Sequence, residues 1–119
     1  MAIDYHYEES LEESSTTSND WQDKTEIELE VAEAGLYRVS WSLLFKSNNG
    51  SKDTSVRVLS SCGGVLCERT ASEKNWFPVS GFRLYNFPVG THTIKIQYRL
   101  DNNGTAYISN AVLDCWRAS

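Results

Sequence analysis

The chain of 119 residues has few of the residues and patterns on which enzymes, metalloproteins and membrane proteins depend. Its two histidines, His6 and His92, stand far apart, and no nucleophile-elbow, zinc-protease, phosphate-loop or dinucleotide-glycine motif occurs. No apolar run approaches the roughly 18 residues that a transmembrane helix requires. Two distant carboxylates could still meet as in glycosidases, but the acids beyond residue 20 fall mostly at turns or outward strand positions. We therefore expect a protein that is not an enzyme, with no metal ion, no cofactor and no membrane segment.

Cysteine is scarce as well, and its number is odd: the chain carries Cys62, Cys67 and Cys115. At least one thiol is therefore unpaired within the chain. The first residues also lack the basic and apolar segments of a signal peptide, so we expect folding in a reducing cytosol. If Gly63-Gly64 is a two-residue hairpin turn, Cys62 lies opposite Val65 and Cys67 opposite Ser60, which keeps the two thiols apart. All three cysteines are interpreted as small, mostly buried apolar residues.

Basic residues are absent from the first 20 positions, which hold six carboxylates and a charge of −6. The other ten acids and the eleven bases give residues 21–119 a charge of +1, so the net charge of −5 belongs to the N-terminal segment. A nearly neutral body lacks the basic face that nucleic-acid binding needs, and we expect no such partner. This charge division predicts an acidic arm, residues 1–20, in front of a domain at residues 21–119.

The arm combines a short strand-like pattern with a long polar stretch. Ile3, Tyr5 and Tyr7 alternate, whereas Glu8 to Asp20 is rich in serine, threonine and acids. Such a stretch buries too little surface to offset the entropy of ordering it. Two interpretations stay open: a flexible or loosely packed extension, or an arm whose Ile/Tyr strand docks on a neighbouring subunit or partner.

The domain is organised around one strand at residues 34–46. Five large side chains recur there at every second position and so share one face: Tyr37, Val39, Trp41, Leu43 and Phe45. The same alternation marks residues 25–31 and 91–100. Glu26, Glu28 and Glu30 occupy the other face of the earlier strand, about 7 Å apart and without a calcium-loop glycine, and so indicate a solvated face.

A second aromatic segment runs from Trp76 to Tyr85. Pro78 cannot donate to a sheet and predicts an edge strand or a bulge, and Gly81 predicts a second irregularity. The segment holds more large apolar residues than one sheet face can bury. Trp76 and Phe82 are therefore candidates for contact with a partner, and packing beneath loops is the alternative.

The closing strand, residues 106–117, is apolar on both faces and should lie centrally in its sheet or against a neighbouring subunit. Its predicted faces are Tyr107, Ala111 and Leu113 on one side and Ile108, Val112 and Trp116 on the other. With the preceding segments this makes about eight strands and no convincing helix. The pattern predicts an all-β fold, an antiparallel β-sandwich of the jelly-roll type with an extended N-terminal arm.

Two segments resemble those of known jelly rolls: Ala34-Gly35-Leu36-Tyr37-Arg38-Val39-Ser40-Trp41-Ser42, and Phe87 to Tyr98, which reads Phe-Pro-Val-Gly-Thr-His-Thr-Ile-Lys-Ile-Gln-Tyr. With the acid-flanked strand before them and the aromatic last strand after them, residues 21–118 are similar to the jelly rolls of the tumour-necrosis-factor and complement globular-head type. They also resemble small jelly-roll accessory proteins of tailed-phage virions, which decorate capsids or tails. The resemblance implies a homotrimer and a binding or structural role.

The leading hypothesis is a non-enzymatic virion protein, assembled in the host cytoplasm, that decorates and stabilises a phage capsid. It would bind the major capsid protein or another virion protein through its arm and its sandwich edges, and the acidic arm would favour a basic surface there. The candidate partner-binding residues are Ile3, Tyr5, Tyr7, Trp76 and Phe82.

The alternative hypothesis is a carbohydrate-binding module or the receptor-binding tip of a fibre. Trp21, Trp76 and Tyr85 would then form a platform for sugar rings. A secreted cytokine-like ligand is a third possibility, which the odd cysteine count and the missing signal peptide disfavour.

Overall fold

A computed structural model describes residues 5–49, 53–101 and 104–119, which form nine β-strands. The strands are β1 (Tyr5–Ser10), β2 (Ser14–Thr16), β3 (Gln22–Val31), β4 (Gly35–Ser47), β5 (Thr54–Ser60), β6 (Gly64–Ala71), β7 (Phe77–Phe87), β8 (Gly90–Leu100) and β9 (Ala106–Arg117). The described residues contain no helix, and hence none long and apolar enough to span a membrane.

The strands form two antiparallel sheets that pack face to face. The five-stranded sheet has the order β1-β9-β4-β7, and β2 also pairs with β9. The four-stranded sheet has the order β3-β8-β5-β6. The all-β antiparallel sandwich predicted from the sequence is confirmed. The strand beyond the predicted set is β2, which lies in the polar part of the arm.

The core lies between the sheets and is built from the alternating residues that the sequence identified. Tyr37, Val39 and Phe45 of β4 are fully buried, and Trp41 and Leu43 nearly so. The aliphatic residues of β3 and β8 face them, while the three glutamates of β3 are exposed. Side-chain alternation alone decides these faces, because a strand of unbroken register has a period of two.

The closing strand β9 lies between β1 and β4, the central position that its two apolar faces predicted. Its alternation is broken by a bulge at Asn110, which adopts φ 50°, a left-handed conformation that asparagine tolerates. Three side chains around the bulge consequently face the core: Ile108, Ala111 and Leu113. The predicted grouping of Tyr107 with Ala111 is therefore wrong, since the extra residue shifts the alternation by one position.

The β5–β6 hairpin differs from the predicted two-residue turn. Ser60 pairs with Gly64, so the turn comprises residues 61–63, and Gly64 takes the positive φ of 76° that closes three-residue hairpins. Cys62 consequently lies within the turn and not opposite Val65.

The three cysteines have different environments, and none of them forms a disulfide. Cys67 pairs with Val58 instead of Ser60; both partners lie on the core side of β5, and Cys67 is half-buried. Cys115 is buried, but Cys62 is exposed, so the expectation of a mostly buried residue is wrong there.

Residues 5–20 of the predicted arm are bound to the sandwich of their own chain. β1 pairs along its whole length with β9, and β2 pairs with the other half of β9. Between them, the buried Lys24 ammonium donates to the Glu12 carbonyl at 2.6 Å and to Ser14 Oγ at 2.7 Å. Backbone pairing and these bonds offset the ordering entropy that side-chain burial alone could not. The division of the chain at residue 20 stays a prediction.

Candidate functional site

The outer face of the four-stranded sheet is polar, and its side chains bind one another. Asp23 forms an ion pair with Lys95 at 3.1 Å and accepts a hydrogen bond from Gln97 Nε2 at 2.7 Å. Arg57 Nε in turn donates to Gln97 Oε1 at 2.8 Å. The Gln97 bond first, and the Lys95 charge after it, hold the pKa of Asp23 below its ordinary value. The polar groups of this network already have partners within the chain.

The outer face of the five-stranded sheet is different, because aromatic side chains dominate its middle. Two adjacent rows cross β1, β9, β4 and β7: Tyr5, Trp116, Arg38 and Leu84 in the first, and Tyr7, Asp114, Ser40 and Phe82 in the second. These eight residues are called the aromatic face below. Neighbouring strands lie about 4.8 Å apart, so each row is about 14 Å wide.

Arg38 stands at the centre of the aromatic face. Its guanidinium carbon lies 4.0 Å from the centroid of the Phe82 ring and 4.9 Å from that of Trp116. Trp116 in turn contacts Tyr5, with ring centroids 6.2 Å apart and planes tilted by 45°. The stacking joins three rings and one cation across all four strands and holds the arginine in place.

Four apolar side chains of the aromatic face are about half exposed: Tyr5 by 50%, Tyr7 by 45%, Phe82 by 58% and Leu84 by 51%. On the other sheet the exposed aliphatic Val65, at 42%, belongs to the outward side of β6. Tyr, Trp and Arg are the residues that dominate binding energy at protein interfaces. The aromatic face therefore has the residue composition of the core of a protein interface, and its side chains are as exposed as those of an interface that no partner covers.

Polar groups between the rings are only partly satisfied. Asp114 Oδ1 and Ser40 Oγ are buried beneath the rings and have no hydrogen-bond partner among the described residues. The Tyr7 hydroxyl donates to Glu9 Oε2 at 2.5 Å, which raises the pKa of Tyr7. Partial burial, and the Asp114 carboxylate after it, raise the pKa of Tyr5. Both tyrosines are therefore neutral hydrogen-bond donors at neutral pH.

The structure brings together three of the five residues predicted to bind a partner. Tyr5, Tyr7 and Phe82 lie on the aromatic face. Trp76 lies near Lys46, whose ammonium sits 4.8 Å from its ring centroid, about 20 Å further along β4 than the rows of the face. Ile3 lies outside the described residues. The role of these residues in binding stays a prediction.

The three aromatics proposed as a sugar platform are separated. Trp21 belongs to the four-stranded sheet, with the guanidinium carbons of Arg57 and Arg99 at 4.2 and 4.5 Å from its ring centroid. Tyr85 pairs with the core residue Tyr37 and packs inward. Trp76 directly precedes β7 of the five-stranded sheet, at the end of that strand opposite Tyr85. These three rings therefore do not form one platform for a sugar ring.

Sequence reasoning missed two central members of the aromatic face, Trp116 and Arg38. Alternation placed Arg38 opposite the core residues of its strand and only grouped Trp116 with Ile108 and Val112, and the pairing of β1 with β9 and of β9 with β4 was not predictable. Without these strand pairings, no feature of the sequence predicts that Trp116 contacts Tyr5 or that Arg38 contacts Phe82. An arginine flanked by core residues in the central strand is the one signal that could have indicated the site.

The histidine of β8 contacts neighbouring residues of its own chain. His92 is buried, its Nε2 lies 2.8 Å from the Pro88 carbonyl, and its ring packs on Phe87. Among the residues described, no three His, Cys, Asp or Glu side chains are close enough to hold a metal ion.

No protein-family model matches the sequence, and no curated protein matches it either. Among solved structures, dimeric latent PorU from Porphyromonas gingivalis is similar with a TM-score of 0.64 and 8% identity, over 98% of this chain and 13% of that one. Eiger TNF from S. frugiperda is similar with a TM-score of 0.50 and 8% identity, over 77% of this chain and 64% of that one. The chain thus spans less than two thirds of both proteins.

A carbohydrate-binding module from Cellvibrio mixtus lichenase 5A, solved with cellotriose, has a TM-score of 0.41 and 15% identity, over 83% of this chain and 72% of that one. That similarity is too distant to carry an argument. The likeness to the TNF protein shows a shared jelly-roll-like β fold and nothing about activity. None of the three is a phage protein.

Proposed function

We propose that this protein is a non-enzymatic structural protein that binds a partner protein through the aromatic face. The observation that supports this proposal is the contrast between the two outer faces. One is polar, with an ion pair between Asp23 and Lys95, while the other exposes tyrosine, phenylalanine and leucine around a stacked arginine. Exposed apolar patches of this kind mark interaction surfaces on soluble domains.

The aromatic face suits binding energetically. Arg38 is already fixed between Phe82 and Trp116, so little rotamer entropy is lost when a partner packs on it. Covering the half-exposed rings removes apolar surface from water at about 25 cal/mol per Å². The phenol oxygens of Tyr5 and Tyr7 can accept hydrogen bonds from the partner at the same time.

The finer proposal is that the partner is the major capsid protein or another virion protein of a tailed phage, and that the protein decorates or stabilises the head. The resemblance of residues 21–118 to jelly-roll accessory proteins supports it. So does charge: exposed carboxylates line β1 and the loop after it, beside the aromatic face, at Glu8, Glu9, Glu12 and Glu13. These would complement a basic shell surface and accelerate association.

A homotrimer is part of the same proposal, because the resemblance to trimeric jelly rolls implies one. Light scattering at micromolar concentration measures the mass directly. A trimer supports the assembly role, and a monomer removes the trimer from the proposal but leaves shell binding, since a shell can impose its own symmetry.

The test of the aromatic face is co-sedimentation of the protein with capsids that lack it. Leu84→Ser removes an exposed apolar side chain from the face, and Val65→Ser removes a comparably exposed one from the opposite sheet. Neither residue is in the core, so both variants should fold. We expect Leu84→Ser to weaken binding roughly tenfold or more and Val65→Ser to bind like the wild type. Equal binding by both variants would exclude the aromatic face.

The carbohydrate alternative is tested by a glycan array with the same two variants. Saturable binding of a glycan that Leu84→Ser abolishes would assign the aromatic face to sugar instead of protein. Absence of binding to the array together with binding to capsids is the outcome that we expect.

A further inference from the structure

A separate opening lies on the side of the sandwich where the edge strands β6 and β7 face each other. At the opposite side β1 packs against β3, whereas β6 and β7 make few contacts. The gap between them is a cleft of about 460 Å³, a volume in the usual range for small-molecule sites. Its lining consists of Trp41, Cys67, Arg69 and the run of β7 residues 77–82.

The floor of the cleft is the indole of Trp41. This side chain is only 7% exposed, and the one acceptor near its Nε1–H among the described residues is the weak one of the Cys67 thiol. Gly81 lies directly across from Trp41, and a Cβ at that position would stand 3.3 Å from Nε1. The register of β7 with β4 is continuous through Gly81, so the glycine is not the predicted irregularity. Because position 81 has no side chain, only the β7 backbone covers the buried Nε1 edge of the indole on this side.

The wall of the cleft is cationic. Arg69 pairs with Val56 on the inward side of β6, so its guanidinium is held at the mouth of the gap. Arg83 lies two positions beyond Gly81 on the inward side of β7, next to the lining but not part of it. Neither arginine is ion-paired with a residue that the structure describes, and the lining includes no carboxylate. Burial raises the pKa of the Cys67 thiol, so it adds no negative charge.

We propose that the cleft binds a small amphiphilic carboxylate, an apolar chain or ring that carries one carboxylate group. The apolar body lies between Phe77, Pro78 and Val79 and the indole of Trp41. The carboxylate faces Arg69 and accepts the Trp41 Nε1–H in place of the Cys67 sulfur. This gives a buried donor a charged acceptor instead of a weak one. The site adjoins the aromatic face, with which it shares Phe82, but its ligand contacts other residues, and the site does not depend on the function proposed for that face.

Titration of the full chain with octanoate, followed through the indole N–H signals in ¹⁵N NMR spectra, tests the site. The Trp41 signal is assigned by its loss in Trp41→Phe. We expect octanoate to shift that signal saturably while the Trp21 signal stays in place. Octanol has the same apolar chain without the charge and should bind at least about tenfold more weakly.

Two variants and one control localise the ligand. Arg69→Gln removes the cation at an exposed position and should weaken octanoate binding at least about tenfold. Lys74→Gln makes the same charge change in the exposed loop before β7, outside the lining, and should bind like the wild type. Gly81→Ala places a methyl group over the indole N–H and should abolish the shift. No saturable Trp41 shift, octanol binding equal to octanoate, or equal affinity of Arg69→Gln and Lys74→Gln would each overturn the proposal.

Discussion

Trp41 and Phe45 lie on the same inward face of β4, yet their replacement by alanine should destabilise the protein by different amounts. Large-to-small changes of buried aromatics cost about 3–5 kcal/mol, the sum of lost burial and the cavity left behind. Phe45 is fully buried and packs edge-to-face on Phe77 at 5.6 Å, so its removal leaves an enclosed cavity. Trp41 borders the β6–β7 cleft, where water can enter the vacated space.

The expected losses follow from that difference. Phe45→Ala should lower the free energy of unfolding by about 4–5 kcal/mol, the upper part of the range. Trp41→Ala should lower it by about 3 kcal/mol although tryptophan is larger, because the cavity term is smaller at an open cleft. Urea unfolding followed by far-ultraviolet circular dichroism measures both losses without using tryptophan fluorescence. Leu84→Ala, half exposed on the aromatic face, is the control and should stay within about 0.5 kcal/mol of the wild type.

Two results would refute this reasoning. A loss under about 1 kcal/mol for Trp41→Ala would mean that the inward face of β4 is assigned to the wrong side, since a buried aromatic cannot be removed so cheaply. A loss greater than that of Phe45→Ala would mean that the cleft beside Trp41 is closed in solution.

Three further outcomes are expected. Asn110→Gly should leave stability nearly unchanged while Asn110→Val lowers it by about 1–2 kcal/mol in urea unfolding, because only the β-branched residue resists positive φ. Because folding lowers the pKa of Asp23, its carboxylate stabilises the fold at pH values above the ordinary pKa of aspartate. That stability is lost as the pH falls through the lowered pKa of the folded state. Asp23→Asn should therefore make the acid-side loss of stability shallower, and an unchanged pH profile would show that the Gln97 bond is absent. Deleting residues 1–20 exposes one edge of β9 and should lower Tm. Melting should stay cooperative, and capsid binding should be lost. A product without a cooperative transition would place β1 and β2 in the folding core.

Much of the core was predictable because the relevant strands have unbroken alternation. The inward residues of β4, such as Tyr37 and Phe45, and the solvated glutamates of β3 lie where a period of two places them. The edge position of β7 followed from Pro78, which cannot donate to a second neighbour. These features depend on local sequence alone.

The remaining features depend on bulges, turns and strand pairing, which the alternation of side chains does not predict. The bulge at Asn110 and the left-handed Gly64 each displace a strand by one residue and change which side chains face the core. The site depends further on which strands are neighbours. Tyr5 meets Trp116 only because β1 pairs with β9, a contact between the two ends of the chain that backbone hydrogen bonds make and side-chain pattern does not encode.

The most direct test of the aromatic face as the binding surface is hydroxyl-radical footprinting of the protein, free and bound to capsids. We predict protection of Tyr5, Tyr7 and Trp116 on binding, with no change at Trp21 on the opposite sheet. Protection of Trp21 with unchanged modification of the three aromatic-face residues would contradict the proposal and assign binding to the four-stranded sheet.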